Sequence, residues 1–221
     1  FVDIFNAYGT QALRPLSKKW IALGIINTFD PYIFGFHCIG IMLWVFGTDP
    51  VWTFGIMYVI IVCYYILRFM VQRAVKHAVH SAIQDEEYVI VAPTMRFFYW
   101  RIAAASKTHY YVGRAYRRSV NIYDKFEIVP LPRTPHVHAA MQDANLQSFV
   151  SFSPLYRWEI SELPSGFTEL RLIDLRYRSN NRYPFVAVAH VNDNLEVVNS
   201  YTGWIFSEDK LQQKLQIGAS D

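Results

Sequence analysis

His77 and His80 stand three residues apart in a stretch that reads as helix, a spacing that can bring two imidazoles to one metal ion. No third ligand lies close by in sequence, so the pair reads as part of a solvated basic face. His136 and His138, beside Pro135, have a similar look and read as polar surface. His37 is the one titratable group inside a long apolar run, where an imidazole either bonds neutrally to a neighbouring carbonyl or relays protons; the first is the simpler reading. Cys38 and Cys63 lie in apolar runs and read as small buried hydrophobes, not as a disulfide or a zinc site. The sequence has no Gly-rich phosphate loop, no Gly-x-Ser-x-Gly elbow and no His-Glu-x-x-His, and residues 80–221 assemble no catalytic constellation.

A second kind of chemistry is electrostatic. Between Glu87 and Asp124 lie six basic residues, Arg96, Arg101, Lys107, Arg114, Arg117 and Arg118, and no acid. Aromatic residues are interleaved with them: Phe97, Phe98, Tyr99, Trp100, Tyr110, Tyr111 and Tyr116. In isolation that mixture suits single-stranded nucleic acid. On a protein held at a membrane it suits anionic headgroups better, because a tethered basic face gains attraction without a specific ligand. Arg114, Arg117 and Arg118 are the expected membrane-surface residues, and nucleic acid is not the expected partner.

The elements that must position these groups follow from composition. Of 221 residues, 52% are hydrophobic and 18% charged, with a net charge of +3, which excludes a disordered chain. The apolar residues are concentrated. From Pro31 to Thr48 no residue is formally charged, and a second charge-free run extends from Pro50 to Leu67. Eighteen helical residues rise about 27 Å, close to a hydrocarbon core of about 30 Å. Gly47-Thr48-Asp49-Pro50 is turn chemistry between them, and Asp30-Pro31 and Asp49-Pro50 each read as an N-cap followed by Pro in the first turn. The expectation is a transmembrane helical hairpin, about 31–48 and 50–70. Trp44 and Trp52 mark one boundary, and Tyr32 with Tyr64 and Tyr65 the other. Arg14, Lys18 and Lys19 precede the pair, Arg68, Arg73 and Lys76 follow it, and the turn carries only Asp49, so both flanks are expected in the cytoplasm.

After a basic helix to about Gln84 the periodicity changes to short β-branched and aromatic runs: Tyr88–Val91, Phe97–Ile102, Tyr110–Val112 and Ile122–Val129. One helix near Thr134 and Pro135 interrupts. Strands resume at Tyr156–Ile160, Glu169–Arg178, Phe185–Val191 and Leu195–Asn199, and a capped helix closes the chain at Ser207–Gln216. The expected fold is α+β: residues 1–85 form the membrane part, and residues 86–221 a mainly antiparallel cytoplasmic domain.

The opening stretch Phe1-Val2-Asp3-Ile4-Phe5-Asn6-Ala7-Tyr8-Gly9-Thr10, with Pro15 after it and Phe29-Asp30-Pro31 before an apolar helix, resembles the bacterial YdjM family of inner-membrane-associated, metal-dependent hydrolases. Asn199-Ser200-Tyr201-Thr202-Gly203-Trp204 and the capped C-terminal helix resemble its YfhP-type branch. The resemblance implies that Asp3 is a ligand of a divalent metal, zinc or another, with Asn6, Tyr8, Gly9 and Thr10 beside the site. In that family a histidine precedes this aspartate by four residues, a pair that a helix brings to one face. Here that position would fall before Phe1, so the chain is expected to be the C-terminal piece of a longer protein and inactive by itself. Gly9 is expected to take the left-handed conformation of a helix end.

The function so implied is a zinc-dependent hydrolase in the bacterial inner membrane, multi-pass, with a cytoplasmic C-terminal domain. The alternative is a non-enzymatic, membrane-anchored module whose β domain binds a regulator or a lipid surface.

Overall fold

The structure, a computed structural model, describes residues 2–17 and 20–218. Lys18 and Lys19, counted among the basic flank, lie outside them, as does Phe1. The architecture is α+β with two four-stranded antiparallel sheets, of strand order β1-β2-β3-β4 and β5-β6-β7-β8. The chain divides into two compact units: Phe1–Ser106 with Gly113–Lys125, and Lys107–Val112 with Phe126–Asp221. The unit that holds the helix pair therefore also holds β1, β2 and most of β4.

In the first unit a one-turn 3-10 helix, Val2–Phe5, leads through an irregular segment to α1 (Pro31–Val45) and α2 (Pro50–Ala82). Both expected caps are present. The Asp30 carboxylate accepts from the Tyr32 and Ile33 amides, and Asp49 accepts from Trp52. The helices run antiparallel from their turn, with Trp44 on Phe54, His37 against Tyr58 and Tyr32 on Tyr64. Gly40 permits the approach, because a Cβ there would lie 2.9 Å from the Met57 sulfur and 3.3 Å from the Phe54 ring. His37 Nδ1 sits 2.8 Å from the Ile33 carbonyl, the bland role expected of it. The two helices differ in reach: α1 has 15 residues, about 22 Å, and α2 has 33, about 50 Å. Only α2, among the described residues, is long and apolar enough to cross a bilayer.

Three expectations are corrected here. Cys38 and Cys63 are free but exposed, not buried, since they occupy helix faces turned away from the packed seam. Arg68 is not a flanking surface charge: it is 1% exposed, at the centre of the unit. Tyr64 is likewise buried, donating its hydroxyl to the second Asp30 oxygen at 2.9 Å, so it serves as a cap partner and not as part of an exposed belt.

After α2 come β1 (Glu86–Pro93), β2 (Tyr99–Ser106), β3 (His109–Tyr116) and β4 (Ser119–Glu127). Phe97 and Phe98, expected in a strand, are in the β1–β2 loop.

In the second unit, α3 (Pro135–Met141) and α4 (Ala144–Phe152) precede β5 (Tyr156–Glu162), β6 (Thr168–Asp174), β7 (Phe185–Val191), β8 (Val197–Trp204) and α5 (Glu208–Gly218). One expected helix is thus two, because Asp143 caps a new one through the Asn145 and Leu146 amides. Leu195 stands at φ +65° in the turn before β8 and is not its first residue. Alternation sorts the sheet's faces. Leu170, Leu172, Ala187 and Ala189 pack against Val137, Leu146 and Phe149 of α3 and α4, while Ile173, Val186 and Val188 pack against Leu211 and Leu215 of α5. Covered on both faces, β7 is apolar throughout except for His190.

Candidate membrane-surface site

Three contacts fix the path of β1 along α2. His80 Nδ1 lies 3.2 Å from Glu86 Oε1, Gln72 Nε2 donates to the Val91 carbonyl at 3.2 Å, and Arg68 Nη1 donates to the Phe97 carbonyl. The strand therefore climbs back along the helix, and the β1–β2 loop reaches the level at which the charge-free part of the helix pair begins. There Phe97 packs on both Tyr32 and Tyr64. Thr94 sets the loop: its hydroxyl donates to the Tyr99 carbonyl and accepts from the Arg96 amide. The β3–β4 turn joins it through the Arg117 amide, 3.0 Å from the Phe98 carbonyl, with Arg117 itself at φ +54° as a two-residue hairpin of this hand requires.

The result is a tip where cations lie on rings. The Arg117 guanidinium is 5.0 Å from the Phe98 ring and 5.6 Å from that of Tyr116. Arg96 and Arg114 flank Tyr99 at 5.6 and 5.9 Å. Tyr99 and Tyr116 are themselves 4.8 Å apart. Met95, Phe98 and Tyr116 are 59, 42 and 44% exposed, a large apolar exposure beside three arginines. Such a surface can sink rings to headgroup depth while guanidinium groups meet phosphates. Of the expected surface trio, Arg114 and Arg117 are in this cluster, and all three are exposed. Arg118 instead lines a pocket with Ala74, His77, Ala78 and Ser81 of α2. Arg96 completes the tip; its signal was present in the run of basic residues without acids.

The N-terminal residues do come together. Asp3 is exposed on the 3-10 helix, and its Oδ1 accepts from Asn6 Nδ2 at 3.1 Å. Asn6 is buried, its own Oδ1 accepting from the Tyr8 and Gly9 amides, both at 2.9 Å. Gly9 takes φ +73°, and a Cβ there would lie 2.4 Å from the Ile21 carbonyl oxygen, so no other residue fits without a backbone shift. Thr10 pairs with Ile21 in an isolated bridge. Among the described residues there is no group of three or more His, Cys, Asp or Glu that could hold a metal ion.

Sequence reasoning missed the clamp beneath the tip. Arg68 Nε donates to the Ile25 carbonyl, and its guanidinium stacks 4.1 Å over Trp100. Gln72 Nε2 also reaches the Leu23 and Gly24 carbonyls. These two side chains supply the donors that an irregular buried backbone lacks.

Three family models match successive stretches of the chain. Residues 1–75 match the family model of the YdjM inner membrane protein, residues 84–126 the YfhP middle domain and residues 135–215 the YfhP C-terminal alpha/beta plait domain. Over 220 residues the chain is 53% identical to a Bacillus subtilis (strain 168) protein described as uncharacterized protein YfhP, covering 99% of this chain and 67% of that one. No solved structure matches. The chain therefore belongs to the YdjM/YfhP family, whose namesake inner membrane protein supports membrane association here.

Proposed function

We propose that this chain is a membrane-anchored, surface-binding module. In this reading α1 and the charge-free part of α2 enter the bilayer as a hairpin, the Asp49 turn is extracytoplasmic, and the tip of the first sheet rests on anionic headgroups on the cytoplasmic side, where the remaining chain also lies. The packing of Phe97 on Tyr32 and Tyr64 carries the proposal, because it sets the basic, aromatic tip where the apolar run ends. Exposed Cys38 and Cys63 suit lipid-facing helix surfaces.

The test uses the full chain in Cys38→Ser/Cys63→Ser form. A nitroxide on Phe98→Cys should report headgroup depth in phosphatidylglycerol bilayers. That depth should decrease as salt rises, since exposed charges are screened over about 8 Å at physiological ionic strength. A label at bulk aqueous depth in both anionic and neutral bilayers refutes the reading. Impermeant thiol reagent on intact cells should modify Asp49→Cys and spare Asn180→Cys; the reverse pattern overturns the orientation.

A second reading, a zinc-dependent hydrolase in which Asp3 ligates the metal, is favoured by the exposed carboxylate that Asn6 orients and by the YdjM match over residues 1–75. Asp3 offers one carboxylate, a suitable but insufficient ligand, and further donors would have to come from outside the described residues. Metal analysis of the purified protein, wild type beside Asp3→Ala, should show less zinc in the variant with the fold unchanged. Equal zinc in both, or none in either, removes the assignment.

A further inference from the structure

The tip does not account for the cations on the polar half of α2. Phe69, Arg73, Lys76, His77 and His80 recur at i, i+4, i+7, i+8 and i+11, one side of a helix. With Glu86 at the start of β1 they line an open groove of about 540 Å³. That volume falls in the range of small-ligand sites, about 300–1,000 Å³. Its two ends differ. Phe69 adjoins the charge-free run of α2, whereas Lys76, His77 and His80 belong to the polar length beyond it.

The donors and acceptors are complementary to one class of molecule. Arg73 holds its guanidinium 5.8 Å over the Phe69 ring, which orients a planar fork suited to two phosphate oxygens. Lys76 and the imidazoles of His77 and His80 add donors along the same wall. The single acid, Glu86, meets the groove at Oε1, 3.2 Å from the exposed His80 imidazole. Bare phosphate would satisfy the cations and repel that oxygen. A phosphate ester that also carries hydroxyls satisfies both: its phosphate meets Arg73 and Lys76, and a hydroxyl donates to Glu86 Oε1.

We infer that this groove binds a polyol phosphate, the chemistry of a glycerophosphate headgroup. A membrane phospholipid or a soluble glycerol phosphate could supply it. Only the lipid source rests on the membrane-surface reading above; the phosphate and hydroxyl recognition stands without it.

The experiment takes the full chain in neutral detergent, with the His77 and His80 imidazoles isotopically labelled for NMR. Three probes are titrated: phosphatidylglycerol, glycerol 3-phosphate and inorganic phosphate, with phosphatidylcholine as the zwitterionic reference. Saturable imidazole shifts are expected with a hydroxyl-bearing phosphate, and weaker ones with inorganic phosphate. Arg73→Gln/Lys76→Gln should weaken that binding by about tenfold or more, the loss expected for two charge-assisted contacts. Glu86→Gln should narrow the preference for glycerol phosphate over inorganic phosphate. Saturation by phosphatidylglycerol alone identifies the lipid as the source, and equal saturation by glycerol 3-phosphate identifies the soluble ester. Imidazoles that respond to none of the probes, or respond equally to phosphatidylcholine and inorganic phosphate, overturn the inference. The wild-type titrations decide this even if a variant fails to fold. Arg96→Gln/Arg117→Gln separates the two proposals, because it should abolish the headgroup depth of the tip and leave the groove titration unchanged.

Discussion

In the first unit the buried polar side chains reach for backbone, whereas in the second they reach for one another. Arg68 and Gln72 donate to carbonyls of Leu23, Gly24, Ile25, Val91 and Phe97, and Asp30 caps a helix and accepts from Tyr64. In the second unit Asp174, fully buried, binds Arg176 at 2.6 Å and accepts from the Ser153 hydroxyl, while Glu169 joins His190 at 2.9 Å and Arg171 at 3.0 Å. The difference follows from what each unit must satisfy. Residues 6–17 and 20–30 belong to no helix or named strand, so their amides and carbonyls need outside partners. The β5–β8 sheet satisfies its own backbone through its ladders, and its polar side chains are left to pair across strands.

The sharpest test removes one clamp. Arg68→Ala takes away donors to two carbonyls, a stacked ring contact and a large buried side chain at once. A loss of about 4 kcal/mol is expected from the cavity and the orphaned acceptors together. Hydrogen exchange should place the damage at residues 23–26 and the β1–β2 loop, while the α1 and α2 amides stay protected. Protection at residues 23–26 equal to wild type would mean that the irregular segment does not depend on the clamp.

Asp174→Ala comes next, at about 3 kcal/mol, because it strands the Arg176 guanidinium, 9% exposed, without its carboxylate. Here the expected damage is cooperative: amides of β5, β6, β7 and β8 should lose protection together. Loss limited to the segment after β6 would make the second unit resemble the first and break the contrast.

These residues also show what the sequence could reveal. Asp30 and Asp49 were legible as caps because their partners lie two or three residues away, and the boundaries of β7 were legible from a run, apolar but for His190, between turns. Arg68 was not. A charge just beyond an apolar helix looks the same whether it meets water or an irregular segment that folds back over 43 residues. His190 and Glu169 were equally hidden, since 21 residues separate them and only the β6–β7 register sets them opposite. The division into two sheets was illegible for a related reason: hairpin turns show where strands reverse but not where a ladder ends. At the tip, the composition of residues 96–118 identified the surface, while the opposite directions taken by Arg117 and Arg118 depended on one left-handed residue in a two-residue turn.

The smallest effect concerns pH. Burial by itself would raise the Glu169 carboxyl above its ordinary value of 4.5, but the His190 hydrogen bond and the Arg171 charge outweigh that and hold it lower. A carboxyl with a folded value below its unfolded one stabilises above the unfolded value, and the contribution is lost as pH falls through the folded value. In that window the unfolded chain binds more protons, so stability rises with pH. Glu169→Gln should therefore cost about 1 kcal/mol at neutral pH, the scale of a hydrogen bond exchanged for a weaker one, because Arg171 keeps Glu208 at 2.7 Å. The gap between variant and wild type should stay constant from neutrality down to about pH 5 and then close as the solution passes below 4.5. Fluorine-labelled tryptophan reports it, since Trp158 and Trp204 both lie in the second unit and their resonances can be followed through urea unfolding at each pH. A gap that persists undiminished at pH 3 would show that the pair acts through packing alone, and that the charge pairing setting this unit apart from the first does not extend to Glu169 and His190.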